Sequence, residues 1–294
     1  MRLARVEHRG EAFWALLDAE AMFLQRIRAP FAEWVGTCLS GDVTAMSLDK
    51  VGLAVGECRF LPPLEPGARV FGVGLNYLSH LQRLGSAAPE HALAYIKPES
   101  ALVGAYDAIQ YPALTAQLDY EVELVAVVAR TLGDELQASS CLLGYTCGND
   151  VSARDAGKRI GRLDLLTQKA MDRTTPVGPW VVSLDQFGSD QPQLDMQLRV
   201  NGDLRQQDNT RHMIFPVDEL LNYLDARISL RPGDLVFTGS THGVGLEDGR
   251  FLRPGDRIDV DIAGIGSLRN DVSQPRVLSP ARSVGRLGVP HTHE

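Results

Sequence analysis

The chain has 294 residues with 44% hydrophobic and 22% charged content, an ordinary globular composition that can bury one large core or two smaller ones. Its formal charge of −8 supplies no concentrated basic patch for nucleic acid or an anionic membrane, so small molecules are the expected partners. No apolar run approaches the roughly 18 residues of a transmembrane helix, and MRLARVEHRGEAFWALL lacks the apolar region and cleavage site of a signal peptide, so a cytoplasmic protein is expected.

In chain order, RLARV and AFWALLD flank His8, Arg9 and Gly10, the pattern of a hairpin. Residues 1–66 read as a small α+β unit with no assigned chemistry, ended by LPPLEPG at 61–67, where three prolines and a glycine break both helix and sheet. Three similar turns follow, EPGARV at 65–70, RPGDLV at 231–236 and RPGDRI at 253–258. Each is predicted to launch a strand, because proline pre-sets the turn and glycine accepts positive φ.

DYEVELVAVVA at 119–129 is short and rich in valine, which predicts a strand. Side chains alternate along a strand, so Asp119, Glu121 and Glu123 share one face. Buried carboxylates must be protonated, paired or bound to a cation, and a hard divalent ion satisfies three at once. The alternative is a solvated face whose acids keep the strand soluble. Helical periodicity is read in SARDAGKRIGRLDLLTQKA after Asp150, and in PVDELLNYLDAR at 216–227, where Leu220, Leu221 and Leu224 share a face. Asp150 is either a helix N-cap or a third oxygen ligand; Ser152 serves equally as a cap, which leaves the carboxylate for other work. The four cysteines, Cys38, Cys58, Cys141 and Cys147, show no CxxC pairing and are read as reduced thiols, mostly in the core. The polar, proline-bearing tail after residue 275 is expected to fray, His291 and His293 with it.

FGVGLNYLSH at 71–80, YIKPESALVG at 95–104, DYEVEL, GYTCGNDVSARD at 144–155, TPVGPW at 175–180, VNGDLRQ at 200–206, PGDLVFTGSTHGVG at 232–245 and RPGDRIDVDIAGIGSLRN at 253–270 occur in this order. Together they resemble the fumarylacetoacetate hydrolase family over about two hundred residues. The resemblance implies an α+β, β-rich protein: a small N-terminal domain (1–66), a catalytic domain of the family's mixed β-roll or barrel type (67–275) and a tail (276–294), usually as a homodimer. It also implies a divalent metal, Mg2+ or Mn2+, held by Glu121, Glu123 and Asp150. A 2-oxo acid or 1,3-dicarbonyl would chelate that metal, which stabilises the enolate formed when a C–C bond breaks or a proton moves.

By the same resemblance Lys169 adds positive charge to the enolate or carboxylate, Ser240 stands where the family generally has threonine to hold the substrate carboxylate, Gly239 allows close backbone approach, and Lys97 matches a family lysine. His80 matches the histidine of the active-site lid, a general base. Two positions depart from the hydrolytic pattern. Arg83 replaces the glutamate that orients the imidazole, and Gly157 replaces a glutamine seven residues after the metal aspartate. Glu90 lies in the same lid segment and is a candidate for the missing carboxylate, without a spacing rule behind it. The leading expectation is C–C bond hydrolysis of an acylpyruvate- or fumarylacetoacetate-like compound. The alternatives are tautomerisation of a hydroxydienedioate or decarboxylation of an oxaloacetate-like acid on the same site, and a catalytically silent metal- or ligand-binding protein.

Overall fold

Pro-Gly turns decide where several strands begin. The structure, a computed structural model, describes residues 1–133, 137–156, 164–188 and 191–275. The expectations for the tail, His291, His293 and Gly157 lie outside the described residues. Gly67, Gly233 and Gly255 adopt φ of 82°, 90° and 94° and lead into the strands Val70–Gly74, Leu235–Phe237 and Arg257–Ile262. In the last two turns the following aspartate closes the loop: Asp234 accepts from the Arg231 amide at 2.8 Å and Asp256 from the Arg253 amide at 2.7 Å. Asp234 also pairs with Arg69 Nη2 at 2.5 Å, which clamps the starts of two parallel neighbours, Val70–Gly74 and Leu235–Phe237.

The principal sheet runs Leu53–Ala54, Phe23–Arg26, Glu11–Leu17, Arg2–His8, Thr175–Ser183, Leu142–Asn149, Val122–Val128, Leu235–Phe237, Val70–Gly74, Leu93–Lys97. Arg59–Phe60 pairs with Arg2–His8, and Leu102–Val103 runs parallel to Thr175–Ser183. A second, antiparallel sheet orders Asp203–Asn209, Asp195–Val200, Arg257–Ile262 and Gly266–Asp271. The architecture is α+β and β-rich, built on a large mixed sheet, as expected.

The N-terminal hairpin forms where it is predicted, with His8 opposite Glu11 and Arg9 and Gly10 at positive φ between them. Its first strand pairs Arg2 with Val182 and Leu3 with Val181, so the N-terminal strands continue the principal sheet. Trp14, Phe31 and Trp34, whose ring centroids lie 5.1–5.7 Å apart, pack in one apolar cluster with Val125 and Val127.

Val122–Val128 is covered on both faces. Val122, Leu124, Ala126 and Val128 enter one apolar cluster, while Val125 and Val127 enter the other. The acids sit at its N-terminal end, where the odd-numbered face leaves the apolar core. This placement gives them neighbours other than solvent.

The long helix read after Asp150 is not what the described residues form. Ser152–Ala153 is extended and pairs with Leu118–Asp119, so that backbone is satisfied across a ladder. Residues 157–163 of that stretch lie outside the described residues, and among the described ones the helix is Leu165–Lys169, where Asp164 caps it by accepting from the Thr167 amide at 3.1 Å. Non-local pairing overrides the local periodicity here. The second helix is found as Val217–Asp225, with Val217, Leu220, Leu221 and Leu224 buried. No helix among the described residues is long and apolar enough to cross a membrane.

Candidate metal centre

Backbone register brings the three carboxylates together. The Glu121 amide donates to Asn149 Oδ1 and the Asp150 amide to the Glu121 carbonyl, each at 2.9 Å. Glu123 stands opposite Gly148 in the adjacent antiparallel strand. One ligand oxygen from each of Glu121, Glu123 and Asp150 therefore lies within 4.8 Å of the others. These residues are 7%, 1% and 0% exposed, which removes the solvated-face alternative. Asp150 caps no helix: its carboxylate is engaged by side chains.

Those partners are cations and a phenol. Lys169 Nζ donates to Glu121 Oε2 at 2.5 Å and to Asp150 Oδ2 at 2.6 Å, bridging the two. Lys97 Nζ donates to Asp150 Oδ1 at 2.7 Å and to the Lys169 carbonyl, and the Tyr95 hydroxyl donates to Asp150 Oδ2. Arg154 joins Glu121 Oε1 at 2.5 Å to Asp119 Oδ2 at 2.8 Å. Asp119 also accepts from the Gly245 and Leu246 amides at 2.6 and 3.0 Å. Both lysines are buried, so neither is a solvated loop or helix residue.

The charges divide unevenly. Burial alone would raise the pKa of Asp150, but Lys169 and Lys97 outweigh it and hold the carboxyl well below the usual carboxylate range. Burial likewise opposes the Glu121 charge, and Lys169 with Arg154 reverses the effect, so this pKa also falls. Glu123 goes the other way: burial, then the neighbouring charges of Asp150 and Glu121, push it well above its ordinary value. Its hydrogen bond comes from the Gly239 amide at 2.7 Å, and it forms no ion pair among the described residues. A buried carboxylate with no cationic partner, set against two others, is a site that a further cation would stabilise. The all-oxygen donor set is of the type that hard divalent ions take, so these residues fit such an ion.

The segment after Leu235–Phe237 lines the same strand end. Thr238 Oγ1 donates to the Leu124 carbonyl and Ser240 Oγ to the Val122 carbonyl, both at 2.8 Å, while Gln206 Nε2 donates to Ser240 Oγ at 3.1 Å. Gly239 has φ +99°, and a Cβ there would come within 2.6 Å of Asn76 Cβ. The structure thus places Glu121, Asp150, Lys169 and Lys97 in one bonded network, with Glu123, held by the Gly239 amide, beside its carboxylates and Ser240 tied to the backbone between the two glutamates. His80 is not bonded to that network directly. It lies in the helix Leu78–Leu84, and its Nδ1 is 2.9 Å from Glu247 Oε1. Arg83 and Glu90 are both exposed.

Sequence reading passed over Tyr95, Arg154, Asn149, Gln206 and Glu247 and gave Asp119 no role. Arg154 and Asn149 stood inside the quoted GYTCGNDVSARD stretch, and the third acid of DYEVE was the available signal for Asp119. Nothing local marked Glu247, which lies 167 positions from His80.

The sequence pattern described as "Fumarylacetoacetate (FAA) hydrolase C-terminal" matches residues 69–273. A 2,4-didehydro-3-deoxy-L-rhamnonate hydrolase from Sphingomonas sp. (strain SKA58) is 33% identical, covering 95% of this chain and 98% of that protein. A mitochondrial oxaloacetate tautomerase from Rattus norvegicus is 32% identical, covering 85% and 80%. Among solved structures, a fumarylpyruvate hydrolase from Pseudomonas aeruginosa in complex with Mn2+ and pyruvate superposes with a TM-score of 0.64 at 32% identity, covering 73% of this chain and 91% of that one.

Proposed function

The chain belongs to the fumarylacetoacetate hydrolase family, and we propose that it is a divalent-metal enzyme hydrolysing a C–C bond in a small acylpyruvate-like 2-oxo acid. The observation that carries this reading is the buried Glu121, Glu123 and Asp150 cluster, in which Glu123 forms no ion pair among the described residues and has its pKa pushed up by burial and by its two neighbours. These three residues would hold Mg2+ or Mn2+. When bound, such an ion polarises the chelated carboxylate and carbonyl oxygens of a 2-oxo acid and stabilises negative charge developing there.

The protein side chains supply the rest. Lys169 has its pKa raised, because Asp150 and Glu121 outweigh the cost of its burial. It stays an ammonium that orients both carboxylates and adds fixed positive charge beside the reacting oxygens. Lys97 and Tyr95 hold Asp150 from its other sides. Burial and the nearby carboxylates push the Tyr95 phenol well above its ordinary pKa, so it remains a neutral donor. Ser240 and Gly239 form the segment that a substrate carboxylate would approach, and the Ser240 hydroxyl would exchange its bond to the Val122 carbonyl for that carboxylate. His80 is the proposed base that activates water.

The similarity to the rat oxaloacetate tautomerase supports a second reading, keto–enol interconversion on the same residues, which needs no activated water. Incubation of the Mn2+-loaded protein with acylpyruvates and with oxaloacetate separates the two. Release of two carboxylate-bearing fragments from an acylpyruvate supports hydrolysis. Loss of enol absorbance from oxaloacetate without any fragment would favour tautomerisation, and evolved CO2 decarboxylation. A homodimer belongs to the same proposal and is checked by sedimentation.

A further inference from the structure

We propose that Asp208 is a positioning residue that locks the helix Leu78–Leu84, which carries His80, onto the loop that carries Ser240, through contacts of the chain itself. The catalytic consequence rests on the hydrolytic reading above. Asp208 Oδ2 accepts from Ser79 Oγ at 2.7 Å and from Thr241 Oγ1, and those two hydroxyls lie 2.9 Å apart. Ser79 precedes His80, and Thr241 follows Ser240. One carboxylate oxygen therefore joins the immediate neighbours of two residues of the candidate site.

The strand Asp203–Asn209 sets where that carboxylate sits. In the second sheet Asp208 stands opposite Met196 and Gln206 opposite Leu198. Residues two apart on a strand share a face, so both side chains meet the same loop. Gln206 Nε2 donates to Ser240 Oγ at 3.1 Å and to the Thr241 carbonyl at 3.0 Å. Gln206 thus holds the loop, whereas Asp208 holds loop and helix together. On the helix side, Ser79 and His80 are the side chains of Leu78–Leu84 that bond elsewhere among the described residues. Asn76 anchors only the turn before the helix, through Phe215 and the Thr238 carbonyl.

The chemistry of Asp208 suits a lock. Its side chain is 7% exposed. Burial opposes its charge, but the hydrogen bonds from Thr241, His212 and Ser79 outweigh that cost, so its pKa is lowered. Its other oxygen accepts from the Asn209 amide at 2.8 Å and lies 2.6 Å from His212 Nδ1. An ionised carboxylate only accepts, so it aligns both hydroxyls as donors, and such charge-assisted bonds are about twice as strong as neutral ones. The helix bearing the proposed base is thereby held in register with the loop that a substrate carboxylate would approach.

The test is hydrogen exchange of the Mg2+-loaded full chain, read by mass spectrometry in Leu78–Leu84 and, as an internal reference, in the helix Val217–Asp225. Asp208→Ala is expected to speed exchange in Leu78–Leu84 by about tenfold or more, the effect of a lost charge-assisted hydrogen bond on local opening, with Val217–Asp225 and metal stoichiometry unchanged. The kcat for acylpyruvate hydrolysis is expected to fall by about tenfold or more, because base and carboxylate site lose their fixed geometry. Asp208→Asn, which keeps one acceptor oxygen, should change both by less. Ser79→Ala combined with Thr241→Val removes both donors, should reproduce the Asp208→Ala effects, and decides by the same criteria if Asp208→Ala does not fold. Unchanged exchange in Leu78–Leu84, or exchange accelerated equally in both helices, overturns the lock. Acceleration confined to Leu78–Leu84 with kcat unchanged overturns the positioning role and leaves the hydrolytic reading intact. The same exchange pattern, where the wild type hydrolyses no acylpyruvate, upholds the lock and overturns the hydrolytic reading instead.

Discussion

Glu123 illustrates how one side chain carries the argument for a metal. Its pKa is raised because burial and the charges of Asp150 and Glu121 outweigh the nearby charge of Lys169 and the hydrogen bond from the Gly239 amide. Glu123→Ala is therefore expected to abolish stoichiometric Mn2+ binding while circular dichroism stays native. In the wild type, metal at a hundredfold excess over Kd stabilises the fold by about 2.7 kcal/mol, and this thermal shift should vanish in the variant; a retained shift would contradict the ligand assignment. His80→Ala should keep both the metal and the shift yet lose acylpyruvate hydrolysis. If that variant turns over normally, the histidine is not the base. The three carboxylates were legible in sequence through the collinear motifs that resemble the family; alternation alone put Asp119 on the same face as Glu121 and Glu123 and left a solvated face open, and spacing alone left the N-cap reading of Asp150 open. Arg154 and Tyr95 stood inside quoted stretches but their partners, 33 and 55 positions away, did not show in them, and Glu247 lies 167 positions from His80, a separation that no local pattern records.

At the level of elements, the strand Val122–Val128 shows why acids end where they do. Both faces are buried, and Leu124 is 0% exposed. Leu124→Ala should cost about 2–5 kcal/mol, measured as a shift of the denaturant midpoint at constant m-value, because the cavity opens between packed layers. The strand Val70–Gly74, on the far side of Leu235–Phe237 in the same sheet, has a more directed role. A Cβ on Gly72 would lie 2.3 Å from Tyr95 Cζ and 2.6 Å from its hydroxyl, on the residue that donates to Asp150. Gly72→Ala is expected to destabilise by about 1–3 kcal/mol and to weaken Mn2+ affinity in titration calorimetry. Affinity equal to wild type would show that Tyr95 does not shape the centre. The strand starts were readable from their Pro-Gly turns, and the helix Val217–Asp225 from its leucines. The misread stretch after Asp150 had helical spacing, but pairing of Ser152–Ala153 with Leu118–Asp119 prevailed.

For the whole molecule, the boundary proposed at residues 61–67 is open to a direct test. The first strand pairs with Thr175–Ser183, and Trp14, Phe31 and Trp34 share an apolar cluster with Val125 and Val127. A chain lacking residues 1–66 would expose that surface, so it is expected to aggregate or unfold at a lower denaturant concentration than the full chain. A soluble fragment of wild-type stability would make the N-terminal unit an independent domain. Sequence by itself determined the β-rich class, the strand starts, the family and the three carboxylates, because turn chemistry, side-chain alternation and collinear motifs are properties of short stretches. Only the tertiary structure decided which cations pair with which acids, that Glu123 forms no ion pair among the described residues, and that the carboxylate beside His80 comes from Glu247. Those outcomes depend on distances between residues far apart in the chain, which packing sets and local sequence does not.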